Sequence, residues 1–157
     1  MNPARVRILT SELGVPMMTR EDLESYLIRM EYDFEEIEES MWRIESEDDG
    51  APVVVIYTPP VVVLRLKVMS MPELADDVRL APLYRRMLEL NATDIVHGSY
   101  GIEAQEIVLS DALELETLDF VELRSSYESL TMAASSHLPE LAAIVEQGTA
   151  APAVQEG

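Results

Sequence analysis

Residues 41–69 constrain the fold more than any other part of the chain. Residues 53–57 form a β-branched run too short for a helix, and Thr58-Pro59-Pro60 then interrupts it with two prolines that cannot donate to a strand ladder. Residues 61–69 resume with apolar side chains at every second position, and residues 41–45 alternate in the same way. The pattern predicts three antiparallel strands in a meander, with the sheet beginning at residue 41.

Two segments flanking this meander have the apolar spacing of amphipathic helices. The first is predicted to start at a capping box formed by Thr19 and Asp22, and its apolar stripe begins at Leu23. The second is predicted to begin at Ala81-Pro82, with the proline in its first turn, and to close at residues 91–94, which favour turns.

The last third of the chain predicts two more strands and a long helix. Residues 96–102 and 107–115 alternate as strands do, and Asp111 interrupts the second pattern, which predicts a bulge or an edge there. A second capping box starting at Asp119 opens the final helix, which Pro139 is expected to kink or end.

The predicted element order is α-β-β-β-α-β-β-α. This order indicates an α+β fold in which a five-stranded antiparallel sheet carries its helices on one face. A length of 157 residues favours one domain, predicted at residues 18–147, after an N-terminal extension (1–17) and before a flexible tail (148–157). Residues 1–16 have no apolar stretch of the length that a signal peptide or membrane span needs, so we expect a cytoplasmic protein.

The charge balance limits which partners the chain can bind. Thirty Asp and Glu against 11 Lys and Arg give a formal net charge of -19, which repels phosphate backbones and anionic lipid headgroups. We therefore expect no direct nucleic acid or membrane partner, and a protein partner that is neutral or basic. The alternative, that the acidity only keeps the protein soluble, stays open. With no cysteine, disulfides, zinc thiolates, iron–sulfur clusters and thiol nucleophiles are excluded.

No residue pattern predicts catalysis, a metal or a cofactor. The two histidines, His97 and His137, lie far apart in the sequence and lack the spacing of paired metal ligands. Gly98 and Gly101 form a Gly-x-x-Gly pattern, which is not a phosphate-binding fingerprint. The acidic residues at 35–49 lack the oxygen spacing of a calcium loop, so they indicate a solvated acidic face or a surface for a basic partner. The chain is predicted not to be an enzyme.

Two linked stretches resemble a known family. Residues 83–91 (LYRRMLELN) lead into 96–102 (VHGSYGI), and residues 107–110 (IVLS) lead into 115–119 (LETLD). This arrangement resembles the YbjN family of bacterial proteins, which is similar in fold to class I type III secretion chaperones, over about residues 19–145. The resemblance implies a dimeric, acidic, non-enzymatic protein that holds a partner in an extended form or regulates it, with a link to stress responses. It brings no catalytic residues.

The second helix has more apolar residues than one buried stripe requires, which favours contact with another subunit in a twofold dimer. The alternative, burial of both its sides within one subunit, stays open. Residues 61–64 are apolar on both faces of their strand, so one face is covered in the dimer or open to a client strand. The residues predicted to form the partner or dimer surface are Val61, Val63, Leu83, Tyr84, Met87, Leu90 and Tyr100.

These patterns together predict a non-enzymatic, homodimeric, chaperone-like adaptor or regulator. It would bind a client protein through apolar grooves, with an acidic surface that favours basic clients. The alternative function is that of a stress-response regulator that masks a basic, nucleic-acid-binding protein through complementary charge.

Overall fold

The computed structural model describes residues 17–73 and 76–149. In chain order, the elements are α1 (Arg20–Arg29), β1 (Phe34–Glu38), β2 (Met41–Ile44), β3 (Val53–Thr58), β4 (Val61–Ser70), α2 (Asp77–Thr93), β5 (Ser99–Glu103), β6 (Glu106–Glu114) and α3 (Phe120–Thr149). Almost all of the predicted N-terminal extension and most of the predicted tail lie outside the described residues. The first two residues of that tail, Gly148 and Thr149, belong to α3.

The strands form one antiparallel sheet in the order β1-β2-β3-β4-β6-β5. The α+β class and the β2-β3-β4 meander are confirmed, but the predicted number of five strands is wrong, because the sheet has six. The missed strand is β1, whose sequence FEEIE contains three glutamates. It pairs only with β2, and an edge strand with largely exposed side chains needs no apolar alternation.

One face of the sheet carries the core. On β2, β3 and β4, alternate residues such as Trp42, Val55 and Leu64 are fully buried and share a single apolar cluster with residues of all three helices. The residues between them, such as Val54 and Val63, are only partly buried. This one-sided burial is the pattern expected of a sheet with its helices on one face.

The predicted capping box at the start of α1 is confirmed. The Asp22 backbone N–H donates to Thr19 Oγ1 at 3.2 Å, and the Thr19 backbone N–H donates to Asp22 Oδ2 at 3.0 Å. The hydrogen bonds from the Thr19 backbone and then its side chain lower the pKa of the Asp22 carboxyl, because they stabilise its ionised form.

Replacing Thr19 with alanine should lower the free energy of unfolding by about 1 kcal/mol at neutral pH. Because the pKa of Asp22 is lowered by folding, its stabilising contribution is present above its unfolded pKa and is lost as the pH falls through the folded value. The difference between the wild type and Thr19→Ala should therefore shrink in acid. Urea denaturation as a function of pH measures it, and the exposed turn residue Thr117, changed to alanine, should shift stability by less than about 0.5 kcal/mol.

Helix α2 begins earlier than its sequence predicted. Asp76 is the N-cap and accepts a hydrogen bond from the Arg79 backbone N–H at 2.8 Å, so the helix starts at Asp77 and Pro82 lies inside it. The prediction of Pro82 in the first turn is wrong. A proline at this position removes only the bond that its N–H would have given to the Val78 carbonyl, and burial of the opposite side of the helix compensates for that loss.

Helix α3 likewise continues through Pro139 to Thr149, so the prediction that this proline would end the helix is wrong. Beyond the proline, Leu141 is fully buried and Ile144 packs against the core. Tertiary packing of the last turns outweighs the loss of the one hydrogen bond that Pro139 cannot donate.

Strand β6 pairs with β4 without a bulge at Asp111, so the predicted bulge is wrong. The alternative prediction of an edge is confirmed, because β5 pairs with β6 only as far as Ser110 and leaves the other side of Asp111 without a partner strand. The bulge on this strand pair lies opposite, in β4 between Lys67 and Met69. Asp111 breaks the apolar alternation because its carboxylate accepts a 2.7 Å hydrogen bond from the hydroxyl of Ser126, a fully buried residue of α3. A polar residue facing the core is tolerated when it satisfies another buried polar group.

Candidate partner-binding surfaces

Helix α2 presents an apolar face to solvent. Its other side, with Leu83 and Met87 among others, is buried in the core. On the solvent side Val78 and Leu88 are 83% and 68% exposed. We call this stripe the α2 outer face; it comprises Val78, Ala81, Pro82, Arg85, Leu88, Glu89 and Ala92.

An open groove runs between α3 and the turn that joins β2 to β3. It encloses about 620 Å³, a volume typical of clefts that bind ligands or peptide side chains. We call it the α3 groove. Its apolar lining includes Leu66, Val68, Met132, Ala134 and Leu138, and its charged lining consists of Glu47, Asp48 and Glu128.

The α3 groove has a negative electrostatic environment. Each charged side chain that lines it is acidic. Burial raises the pKa of Tyr127 to about 12, and the neighbouring Tyr32, Glu47 and Glu128 contribute further to the rise. The rings of Tyr32 and Tyr127 lie 4.8 Å apart and form one end of the lining. A basic group would therefore be favoured at the rim, beside an apolar floor.

The face of the sheet opposite the core is partly apolar. The strand register aligns Met41, Ile56, Val63 and Ala112 in one row across four strands. The first three of these side chains are partly buried, as expected for neighbours on a sheet surface, and Ala112 is exposed. This row lies beside charged residues, so the face has both apolar and polar contacts to offer.

The β5 edge of the sheet is partly covered by a side chain of α2. At β5, the Asn91 side chain of α2 accepts a hydrogen bond from the Tyr100 backbone N–H at 2.7 Å and lies 3.4 Å from the Tyr100 carbonyl oxygen, to which it donates. This side-chain amide occupies the backbone groups that a further strand would use, and so it blocks strand addition at Tyr100. Asn91 belongs to the stretch that resembles the YbjN family, but no local sequence pattern indicates this contact.

The predicted surface residues separate into two groups. Four are buried within the subunit and fill its core: Leu83, Met87, Leu90 and Tyr100. Val61 and Val63 lie on the face opposite the core and are partly exposed, and Tyr84 is partly exposed with its hydroxyl donating to Asp77 at 3.3 Å. Contact with a partner stays a prediction, and in this subunit only the latter three side chains are accessible for it.

Sequence reasoning missed both the α2 outer face and the α3 groove. Val78, Leu88 and Ala92 follow helical spacing, so an earlier helix start at Asp77 would have revealed the α2 outer face. The groove joins segments far apart in the chain, and no local pattern signals it.

The two histidines lie in different environments. His137 is buried, with its Nδ1 2.8 Å from the Tyr100 hydroxyl and its Nε2 2.9 Å from Asp94 Oδ2. Burial raises the pKa of Tyr100, so this hydroxyl stays protonated and can donate to His137. The contacts connect α2, β5 and α3, whereas His97 is partly exposed and lies outside the network. The network is structural, because each member is satisfied by another.

Among the described residues, no group of three or more His, Asp or Glu side chains is arranged to hold a metal ion. Of the helices in residues 17–73 and 76–149, none combines the length and the apolarity needed to span a membrane.

The family model CesT_Tir_1 matches residues 17–147. No curated protein matches the sequence. The solved structures that share the fold at low sequence identity include the following three. A chain of the heterodimeric ExoU–SpcU complex from the type III secretion system of Pseudomonas aeruginosa superposes with a TM-score of 0.60 at 12% identity, over 79% of this chain and 98% of its own.

The second structure is YbjN from E. coli, described as a candidate transcription regulator, with a TM-score of 0.61 and 11% identity over 78% of this chain and 93% of its own. The third is the ExsC–ExsE complex, a chain of which gives a TM-score of 0.55 and 13% identity over 78% of this chain and 92% of its own. The predicted YbjN-like, secretion-chaperone-like fold is therefore confirmed.

Proposed function

The chain belongs to the CesT_Tir_1 family, a type III chaperone family, and from this premise we propose that it is a non-enzymatic, homodimeric adaptor that holds a segment of a client protein. The observation that carries the proposal is the α2 outer face, an apolar helix surface that no described part of the subunit covers. Similar solved chains come from complexes of two different proteins, as their names state, which supports a protein partner.

A second copy of the chain fits the α2 outer face because an antiparallel pairing about its middle places most of its apolar residues opposite one another. In an antiparallel pair centred on Arg85, Val78 would lie opposite Ala92 of the second copy, and Pro82 opposite Leu88. The alanines allow two helices to approach closely. Arg85 is neutralised within its own helix by Glu89 at 2.9 Å. A self-complementary patch is what a twofold dimer requires.

The client would use surfaces that this dimer leaves free. None of the residues that line the α3 groove belongs to the α2 outer face. The row that includes Val63 offers a further apolar surface, and Val61 and Val63 stay predicted contacts there. The acidic surroundings would speed the encounter with a basic client.

The solution mass tests the dimer directly. We expect a species of twice the 17.6 kDa chain mass, about 35 kDa, at micromolar concentration by light scattering. A mass of one chain at that concentration, and no change on tenfold concentration, would contradict the homodimer.

The acidic surface also favours a second function, the masking of a basic, nucleic-acid-binding protein in a stress response. Clusters of carboxylates on β1 and on the β2–β3 turn supply the charge. Charge would then dominate binding, so moderate salt would release the partner, whereas binding in an apolar groove tolerates salt.

A further inference from the structure

The shape and lining of the α3 groove identify the kind of client segment that it fits. Resting on the adaptor function above, we propose that the groove binds an amphipathic helix of about three turns that carries basic residues beside its apolar stripe. The occupant is thus a helical, basic segment of a partner protein.

The groove has the length of a short helix. Its long wall is α3, where the lining residues Tyr127, Thr131, Ala134 and Leu138 recur at three- and four-residue spacing and therefore form one stripe. At 1.5 Å per residue this stripe is about 16 Å long, which matches three turns of a second helix. The opposite wall is the β2–β3 turn, at residues 46–51.

A helix suits this groove better than an extended segment. The floor residues Leu66 and Val68 come from β4, which pairs with β6 along the groove and with β3 only as far as Leu66. Strands β2 and β3, which flank the turn, are paired on both sides. Beyond Leu66 the β3 side of β4 has no partner strand, but the bulge between Lys67 and Met69 interrupts the regular backbone of that short edge. An extended peptide would find only this short, bulged edge for its backbone groups, whereas a helix satisfies its own.

The side chains of the groove match an amphipathic occupant. Met132 is 69% exposed and Leu138 is also exposed, so apolar surface is available at the mouth as well as on the floor. The flexible methionine side chain adapts to different apolar anchors. Glu47 and Asp48 supply the negative charge that basic residues beside those anchors would meet, whereas Glu128 is paired with Arg124 at 2.8 Å.

Two synthetic peptides of identical composition test the proposal. Each is fluorescein-labelled, contains about 14 residues of leucine and lysine, and is titrated with the full-length protein by anisotropy. One places leucine at i, i+3, i+4 and i+7, the other alternates leucine and lysine and so favours a strand. We expect the helical peptide to bind at least about tenfold more tightly.

Variants locate the binding site. Met132→Asp and the double change Glu47→Lys/Asp48→Lys should each weaken binding of the helical peptide at least about tenfold. The matched controls are Val121→Asp, at a residue 68% exposed on α3 but outside the groove, and Glu38→Lys/Glu39→Lys, which changes the charge equally on another acidic segment. The controls should bind within about twofold of the wild type.

Three results would overturn the proposal: tighter binding of the alternating peptide, unchanged binding by both groove variants, or loss of all binding at moderate salt. The first leaves the adaptor function intact and replaces the helix with an extended client segment, and the third favours charge masking. The mass of the wild-type protein, measured in the same buffer, separates failure of the groove assignment from failure of the homodimer.

Discussion

Replacing Val78 and Leu88 together with glutamate is expected to convert the protein from a dimer to a monomer. Both residues lie on the α2 outer face, and in a twofold interface each change occurs twice, so four carboxylates would be placed against apolar surface. We expect the dissociation constant of the dimer to rise at least about 100-fold, which corresponds to about 2.7 kcal/mol. Sedimentation equilibrium over a range of protein concentrations measures it.

The double variant should still fold, because Val78 and Leu88 are exposed in the subunit. A matched control is Val96→Glu with Val121→Glu, at residues 81% and 68% exposed that lie outside the α2 outer face. The control should add the same charge and stay dimeric. A double variant at Val78 and Leu88 that sediments as a dimer would exclude this face as the interface.

Replacing Gly98 with alanine is expected to destabilise the subunit strongly. Gly98 has a φ of +83°, and a Cβ at this position would lie 2.5 Å from the Ser110 carbonyl oxygen and 3.0 Å from Leu130 Cδ2. The backbone conformation alone costs a residue with a Cβ roughly 1–2 kcal/mol, and the clash with the β6 backbone adds to that cost. We expect a loss of about 3 kcal/mol, or roughly 6–12 °C in Tm.

Gly101 supplies the control for this change. It lies on the neighbouring strand β5, where an added Cβ would meet only Val108 Cγ2 at 3.9 Å, an ordinary contact. Gly101→Ala should therefore change the free energy of unfolding by less than about 1 kcal/mol. Thermal melts of both variants in parallel measure the difference. Equal Tm values would show that the β5–β6 backbone relaxes around an alanine at residue 98.

The candidate sites differ in how far they could be predicted. The apolar surplus of α2 was visible in the sequence, and it led to the expectation of a dimer. The predicted surface includes Leu83 and Met87, which the structure buries in the core. A helix that is predicted to start at residue 81 leaves out Val78, the residue that would have indicated the solvent side. The stripe that reaches solvent lies on the other side of the same helix.

The features that could be predicted from the sequence are those that depend on residues close together in the chain. The alternating runs that became β2, β3 and β4, the Thr19–Asp22 capping box and the helical stripe of α3 each rest on residues one to four positions apart, whose side chains meet whatever the rest of the chain does. These patterns, with the resemblance to the YbjN family, were enough for the α+β class.

The remaining features depend on how distant segments of the chain pack together. The acidic strand β1 forms because β2 offers it an edge, and α3 passes Pro139 because its last turns pack on the core. The α3 groove exists only where α3 lies across β4 and the β2–β3 turn, and its α3 residues come more than 50 positions later in the chain than the others. Such features depend on the free energy of packing distant segments, and local sequence patterns do not record that energy.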